Sequence, residues 1–546
     1  MDSRRGHAER ESRHIPKVRL TRLNRGLLCF LGFIIALIPF AVSSSNGVID
    51  PFTHGFVSTT ILALRSGSLQ FANAVGQNIP GTPLFMAQAA LLTGINPLIL
   101  EYLPLAGIGG FVAAFFLGLQ LLRNAVVAVF VADILSIQFF GTWLYSVWPH
   151  AFGYLLFLFF LGVFGLRGPR TPAKVVLLWV IFMAIQVYSY SAELCALSFV
   201  IFIQAYALVA RRNGSLGRAQ HAPLPLSAAI SGAMIVTFFG LNQVFYGQYL
   251  PKLIASQGDL STSLSYYFAS LLRASPPVPY AWIPPRSSFA QLVVHIASLV
   301  LAFAPFMLAF PPFRKRASPS PEEASNQFGL LAGGLTFAWI VDVAAYTPIG
   351  GFGATILFVP SLVVPFLALM LVGRLRGPNE TRIFDRGRVL AVYAAALVLV
   401  SAATFGLALG SGTAVSSASH YEHLDNSALW LYSKAPWVTA IFSDHNTQGR
   451  YSIVYATYGK FFDPNHLYTS DSFSHLVDPI YTARTDSYFL NDYVTVNLEL
   501  DHGRTLAGGF LDFEPLAPHL PTIESNVNLG LIYADGYSDI FLGMSS

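Results

Sequence analysis

Long apolar runs separated by short polar breaks dominate the first 410 residues. An uncharged run of about 17–25 residues reads as a helix able to cross a bilayer. The first such run spans Gly26 to Ser44. Four more segments follow, at roughly 83–100, 102–121, 124–141 and 148–166, punctuated by Gly94-Ile-Asn-Pro, Arg123-Asn and Trp148-Pro-His. Lys174 to Ala210 reads as a helical hairpin whose tip is Tyr188-Ser-Tyr-Ser-Ala-Glu193. Further apolar segments lie at roughly 225–245, 290–311, 328–347, 353–373 and 389–410.

Beyond Gly410 the pattern changes. Residues 411–546 hold no run long enough to span a bilayer and are richer in Asp, His, Asn and Tyr. Alternation in Arg450-Tyr-Ser-Ile-Val-Tyr, Tyr493-Val-Thr-Val-Asn-Leu-Glu-Leu and Leu529-Gly-Leu-Ile-Tyr predicts strands. This stretch has the length for a core of its own, an α/β or mostly-β domain.

Basic residues orient the segments. Residues 1–25 carry Arg4, Arg5, Arg10, Arg13, Lys17, Arg19, Arg22 and Arg25. Short basic loops recur at Arg167–Lys174, Arg211–Arg218, Arg314-Lys-Arg316 and Arg374–Arg388. Positive residues favour the cytoplasmic side, which puts the N-terminus inside and the C-terminal domain outside, after about eleven crossings. The run at Gly26 is then a retained signal anchor, although Ala41–Ser45 also offers small residues of the kind a signal peptidase cuts. Parity requires that one of the four segments between 83 and 166 does not cross. The pattern leaves open which. The expected organisation is a basic tail (1–25), a transmembrane domain (26–410) with a first outer loop (45–82) and a large proline-rich outer loop (246–289), and an extracytoplasmic domain (411–546).

Composition agrees with a polytopic membrane protein. The 546 residues are 54% hydrophobic and 11% charged, against about 25% charged in soluble chains. The net charge of +4 is spread over tail and loops and does not suggest nucleic acid. The two cysteines, Cys29 and Cys195, both lie in apolar runs, so no disulfide framework is legible.

Candidate chemistry concentrates in the first outer loop, Asn46-Gly-Val-Ile-Asp-Pro-Phe-Thr-His-Gly-Phe-Val-Ser-Thr-Thr60. Asp50 and His54 stand where the first helix leaves the membrane, and Gly55–Gly67 follows as a short amphipathic stretch. Asn-Gly and Asp-Pro are also ordinary turn signals.

The order of features here resembles the GT-C class of integral-membrane glycosyltransferases. The residues that carry the likeness are Asp50-Pro-Phe-Thr-His-Gly-Phe56, Ile61-Leu-Ala-Leu-Arg-Ser-Gly67, Pro80-Gly-Thr-Pro-Leu-Phe85 and Leu91-Leu-Thr-Gly-Ile-Asn-Pro97. A helical body followed by an outer C-terminal domain also resembles members of that class. The resemblance implies a GT-C-like fold and an inverting transfer of sugar from a polyprenyl-phosphate donor to a glycan, lipid or protein acceptor at the outer face. Asp50 would be the general base. A carboxylate at a membrane boundary can have its pKa raised toward working pH, where base catalysis is most effective. The phosphate leaving group calls for a cation.

Many members of the class carry two neighbouring acids, whereas this loop has Asp50 alone before Glu101. No metal ligand set is therefore assigned. No cofactor is required, and a divalent metal lacks its second acidic residue.

Substrate-binding candidates are His54, Arg65, His150, Glu193, Arg273 and Arg286, with Lys252 in the same large loop as the last two. Each has a plainer alternative. Arg65 suits a snorkelling interfacial arginine, Glu193 a helix cap, and His54 a solvated loop. Asp133 and Asp342 stand inside apolar runs, where acids are costly and invite a role. His420-Tyr-Glu-His-Leu-Asp425 and Asp444-His445 match no closed zinc spacing. Trp430 and Trp437 suit either sugar stacking or a core. The rival function is a lipid or glycan transporter, which would gather its polar residues at mid-depth.

Overall fold

The computed structural model describes residues 51–67, 80–122, 149–165, 172–212, 228–245, 418–434, 441–443, 445–457, 467–468, 493–497, 520–525, 529–535 and 538–543. It also describes scattered positions within 26–38, 125–133, 293–297, 333–342 and 395–403. Expectations for the basic tail, the large loop 246–289 and the spans at 353–373 and most of 290–311, 389–410 and 124–141 lie outside the described residues.

The stretch expected to be amphipathic is helix α1, Pro51–Ser66. Proline is suited to a first helical turn because its missing N–H is not needed there. Gly67 ends α1 at φ 66°, with its N–H on Ala63 O at 2.9 Å. Only glycine takes that left-handed conformation without steric cost.

The segment expected at 83–100 is two short helices, α2 (Gly81–Thr93) and α3 (Pro97–Tyr102). Three residues divide them, and each has a mechanism. Gly94 closes α2 at φ 72°, Asn96 caps α3 by accepting from Leu98 N at 3.0 Å, and Pro97 occupies the first turn of α3. At 1.5 Å per residue, the 13 residues of α2 reach about 20 Å, short of a hydrocarbon core of about 30 Å.

The helical body is built from α4 (Leu105–Leu122), α5 (Pro149–Gly165), α6 (Pro172–Tyr188), α7 (Tyr190–Arg212) and α8 (Ala228–Phe245). Its centre is α5, which packs on α4, α6 and α7. Phe157, Phe160 and Phe164 of α5 are buried with Phe182 of α6 and Phe199 of α7, and the Phe164 and Phe199 rings meet edge to face at 5.3 Å. Large apolar side chains face away from the body: Val176 and Val180 of α6, Leu208 and Val209 of α7, and Val236 and Phe239 of α8. Such a belt suits a hydrocarbon surrounding. Ser191–Val209 is long and apolar enough to cross a bilayer.

The C-terminal unit is α/β. Helices α9 (Ala418–Lys434), α10 (His445–Thr457) and α11 (Leu520–Glu524) accompany a five-stranded mixed sheet of order β2-β1-β3-β5-β4. The strands are β1 Ile441–Ser443, β2 Leu467–Tyr468, β3 Tyr493–Asn497, β4 Leu529–Ala534 and β5 Ser538–Gly543. β1 runs parallel to β2 and β3, while β5 is antiparallel to β3 and β4. Strands arise where the alternation at 493 and 529 predicts them.

The run Arg450–Tyr455 does not form a strand: it is the middle of α10. Tyr451 and Val454 pack on Ala428, Leu431 and Ile540 within the unit, while Ile453 packs on Val57 of α1, Met86 of α2 and Leu100 of α3. A helix buried on two sides shows apolar residues at nearly every position, and over six residues that cannot be told from a strand.

Candidate functional site

Three groups of residues meet at one end of the helical body, the end where α5 begins, α6 finishes and α7 begins. The first is the seam between α6 and α7. A single residue, Ser189, separates the two helices, and both neighbours bond through it: Ser189 N to Ile185 O at 2.8 Å and Glu193 N to Ser189 O at 2.9 Å. The tip of the expected hairpin is buried, with Ser189 and Glu193 fully enclosed. The physical reason is close packing on α5. A Cβ added at Gly153 would meet Ser189 Cβ at 2.2 Å, so this glycine lets the seam descend onto the helix.

His150, in the first turn of α5, places Nδ1 2.7 Å from Ser189 Oγ. Glu193 lies in the first turn of α7, where an acid faces the positive end of the helix dipole. It accepts a hydrogen bond from Gln186 Nε2. His150 and Glu193, distant in sequence, thus flank the same residue. The helix-cap alternative for Glu193 is close to its observed place, with its carboxylate turned inward onto Gln186.

The second group lies beside this seam. Tyr154 OH is 2.5 Å from Ser191 Oγ, which in turn donates toward Asp342 at 3.1 Å to each carboxylate oxygen. Cys195 is buried in the same region. Tyr154, Ser191 and Asp342 are buried too. A buried carboxylate is tolerated when it is hydrogen-bonded, and this one sits on a packed interhelical face. Asp133 is elsewhere, against Gly32 of the first apolar helix, whose added Cβ would lie 3.2 Å from Asp133 Oδ2.

The third group joins the first loop to the C-terminal unit. Helix α1 lies along α10. Phe56, Val57, Ser58, Thr59 and Thr60 are buried, so α1 is covered on more than the one face an interfacial helix would bury. Val57 shares a cluster with Met86 of α2, Leu100 of α3 and Ile453 of α10, and Phe152 of α5 packs against it. Arg65 points to the C-terminal unit: its Nη1 donates to Ala456 O, 3.3 Å away, near the end of α10. A guanidinium there complements the negative end of that helix, which accounts for its direction better than snorkelling does.

Arg450 of α10 makes a two-pronged pair with Asp425 of α9, Nε to Oδ1 at 2.6 Å and Nη2 to Oδ2 at 2.7 Å. Burial works against the guanidinium, but hydrogen bonds and charge from Asp425, then the charges of Glu101 and Tyr102, hold its pKa up. Burial, followed by the Glu101 charge, pushes the Tyr102 hydroxyl up to about 12.

Asp50, the residue immediately before α1, lies outside the described residues, as do Arg273, Arg286 and Lys252. The backbone of His54 is in the first turn of α1, while its side chain lies outside the description. Of the acid-and-histidine sequence near 420, the described Asp425 is committed to Arg450, and Trp430 stacks on Tyr533 with ring centres 4.7 Å apart, filling the unit's core. Glu101, Arg450 and Ser191 were not singled out from the sequence as site residues. The only signal was Glu101's place as the first acid after Asp50.

No family model matches the chain, and no curated protein matches it. Two solved structures are similar in fold. One is the oligosaccharyltransferase of Archaeoglobus fulgidus, tethered with an acceptor peptide containing the NVT sequon. It has 11% identity and a TM-score of 0.46, over 88% of this chain and 70% of that one. The other is ArnT from Cupriavidus metallidurans in the apo state, at 13% identity and a TM-score of 0.41, over 94% of this chain and 97% of that one.

Proposed function

We propose that this chain is a membrane glycosyltransferase. It moves a sugar from a polyprenyl-phosphate donor to an acceptor at the outer face of the membrane, with inversion, and Asp50 is the general base. The observation that carries this reading is the burial of α1 between the short helices α2 and α3 and helix α10 of the C-terminal unit. In this reading the acid that precedes α1 in sequence acts at this end of the helical body, where an aqueous acceptor and a lipid head group can meet.

Polar residues of α5, α6 and α7 add to this. Tyr154, Gln186, Ser191 and Glu193 are buried and His150 half-buried, and all five lie toward an end of their helices, with Ser189 in the seam between α6 and α7; buried Ser198 lies farther along α7. A transporter would gather such groups near the bilayer midplane. The positive-inside pattern assigns this end to the outer side, with the C-terminal unit extracytoplasmic and the N-terminus cytoplasmic.

In this reading Asp50 takes the acceptor proton as the acceptor oxygen attacks the anomeric carbon, and the lipid phosphate leaves with the electron pair of the broken bond. His150 lines the acceptor side, Glu193 supports it through the seam of α6 and α7, and His54, Arg273 or Arg286 offers positive charge to the phosphate. Arg65 is held by α10 and is not assigned to the phosphate. A single loop acid fits a metal-independent reaction better than one built on a cluster of oxygen ligands.

The test is transfer of radiolabelled sugar from a panel of polyprenyl-phosphate donors in membranes containing the chain. Incorporation above that of membranes lacking it is expected. No incorporation with any donor, together with donor movement across the bilayer, would replace this reading with the transporter.

A further inference from the structure

Helix α10 turns two faces to two partners. At roughly 100° per residue, Tyr451, Val454 and Tyr455 share the side that meets the unit's own core, and Tyr451 OH donates to Ser427 Oγ at 2.8 Å. Ile453 and Ala456 share the opposite side, where Ile453 packs on Val57, Met86 and Leu100 and Ala456 O accepts from Arg65. Arg450 lies between these faces. Its side chain, 10% exposed, is clasped by Asp425 of its own unit. Across the junction is Glu101, fully buried and next in sequence to Leu100, which touches Ile453 one turn along α10.

We propose that Arg450, bonded to Asp425 and answering the charge of Glu101 across the junction, is a positioning residue that seats the C-terminal unit on α1, α2 and α3. On the transferase reading above, on which this second clause rests, it thereby holds in place the helix that begins one residue after Asp50. Apolar packing along α1 and α10 supplies adhesion without direction. A buried guanidinium bonded to the carboxylate of its own unit and attracted by the charge of a second carboxylate across the junction favours one orientation, because sliding the interface would draw buried opposite charges apart.

The informative substitution is Glu101→Gln, which keeps the shape, removes the charge on the α3 side and leaves the Arg450–Asp425 pair intact. Hydrogen exchange of the full chain in lipid nanodiscs should quicken about tenfold in peptides covering 51–66 and 445–457, with 493–497 and 529–543 unchanged. Unchanged exchange in α1 and α10, or equal acceleration in the sheet, would overturn the seating role. Arg450→Lys retains the charge without the planar fork, so it should quicken exchange less than Arg450→Gln. Equal effects would show that charge does not matter here.

In the transfer assay, Glu101→Gln should lower kcat about tenfold with KM within about twofold, the mark of a displaced catalytic group rather than lost binding. A kcat equal to wild type alongside altered exchange would refute the positioning role. A wild-type chain inactive with every donor would instead defeat the transferase reading, and the exchange result would still decide the seating.

Discussion

Ser191 has one hydroxyl for two neighbours, Tyr154 and Asp342. Replacing it with alanine leaves a buried carboxylate with one fewer donor, at a cost of about 1–3 kcal/mol. Ser191→Ala should lower the melting temperature of the purified chain in detergent, and an unchanged value would show that the hydroxyl is dispensable. Asp342 was legible as an acid in an apolar run. Ser191 was not, because serine in a hairpin tip is what a solvated turn would also contain.

Asp539 of β5 offers a test by pH. Burial, then the neighbouring Glu524 and Asp535 carboxylates, raise its pKa above the ordinary 3.8. An acid whose folded pKa exceeds its unfolded value contributes stability only while protonated. That contribution is complete below the unfolded value and is lost as pH rises through the folded one. Asp539→Asn should therefore melt a few degrees higher than wild type at pH 7, with the advantage shrinking toward pH 4. A difference that ignores pH would argue that the carboxylate's charge is not what costs stability.

Single residues at the ends of helices decide the architecture at the scale of elements. The break between α2 and α3 is written in Gly94-Ile-Asn-Pro97, and each residue does in the fold what its chemistry favours. Those signals were visible. What hid their consequence was the apolar run continuing on either side, which by hydropathy alone reads as one span. The hairpin of α6 and α7 was legible from its run lengths, but the burial of its polar tip was not, because it depends on Gly153 letting α5 come close. Gly153→Ala would set a methyl group 2.2 Å from Ser189 Cβ, and neither backbone can yield cheaply. We expect a loss of about 1–3 kcal/mol, read as a lower melting temperature. Wild-type stability would mean that the seam tolerates separation. Helix α10 was missed because both of its faces are buried, one of them by residues almost 400 positions away, a contact that no local pattern encodes.

For the whole molecule, the division into an apolar helical body and a polar C-terminal unit was readable from composition and run length. The way the two join was not. Arg65 and Glu101 come from α1 and α3, Arg450 and Ile453 from the last quarter of the chain, and their meeting depends on how the helices between them pack. That junction makes the position of Asp50 worth testing, because a base is useful only where donor and acceptor can both reach it. The most direct measurement compares wild type with Asp50→Asn, a substitution that preserves size and removes the basic carboxylate. Both are assayed for sugar transfer from polyprenyl-phosphate donors, with α1 verified as intact by hydrogen exchange. The account predicts transfer by wild type and a fall of at least about 100-fold in kcat for Asp50→Asn. Transfer at the wild-type rate by Asp50→Asn would contradict it and send the search for the base to His150 and Glu193.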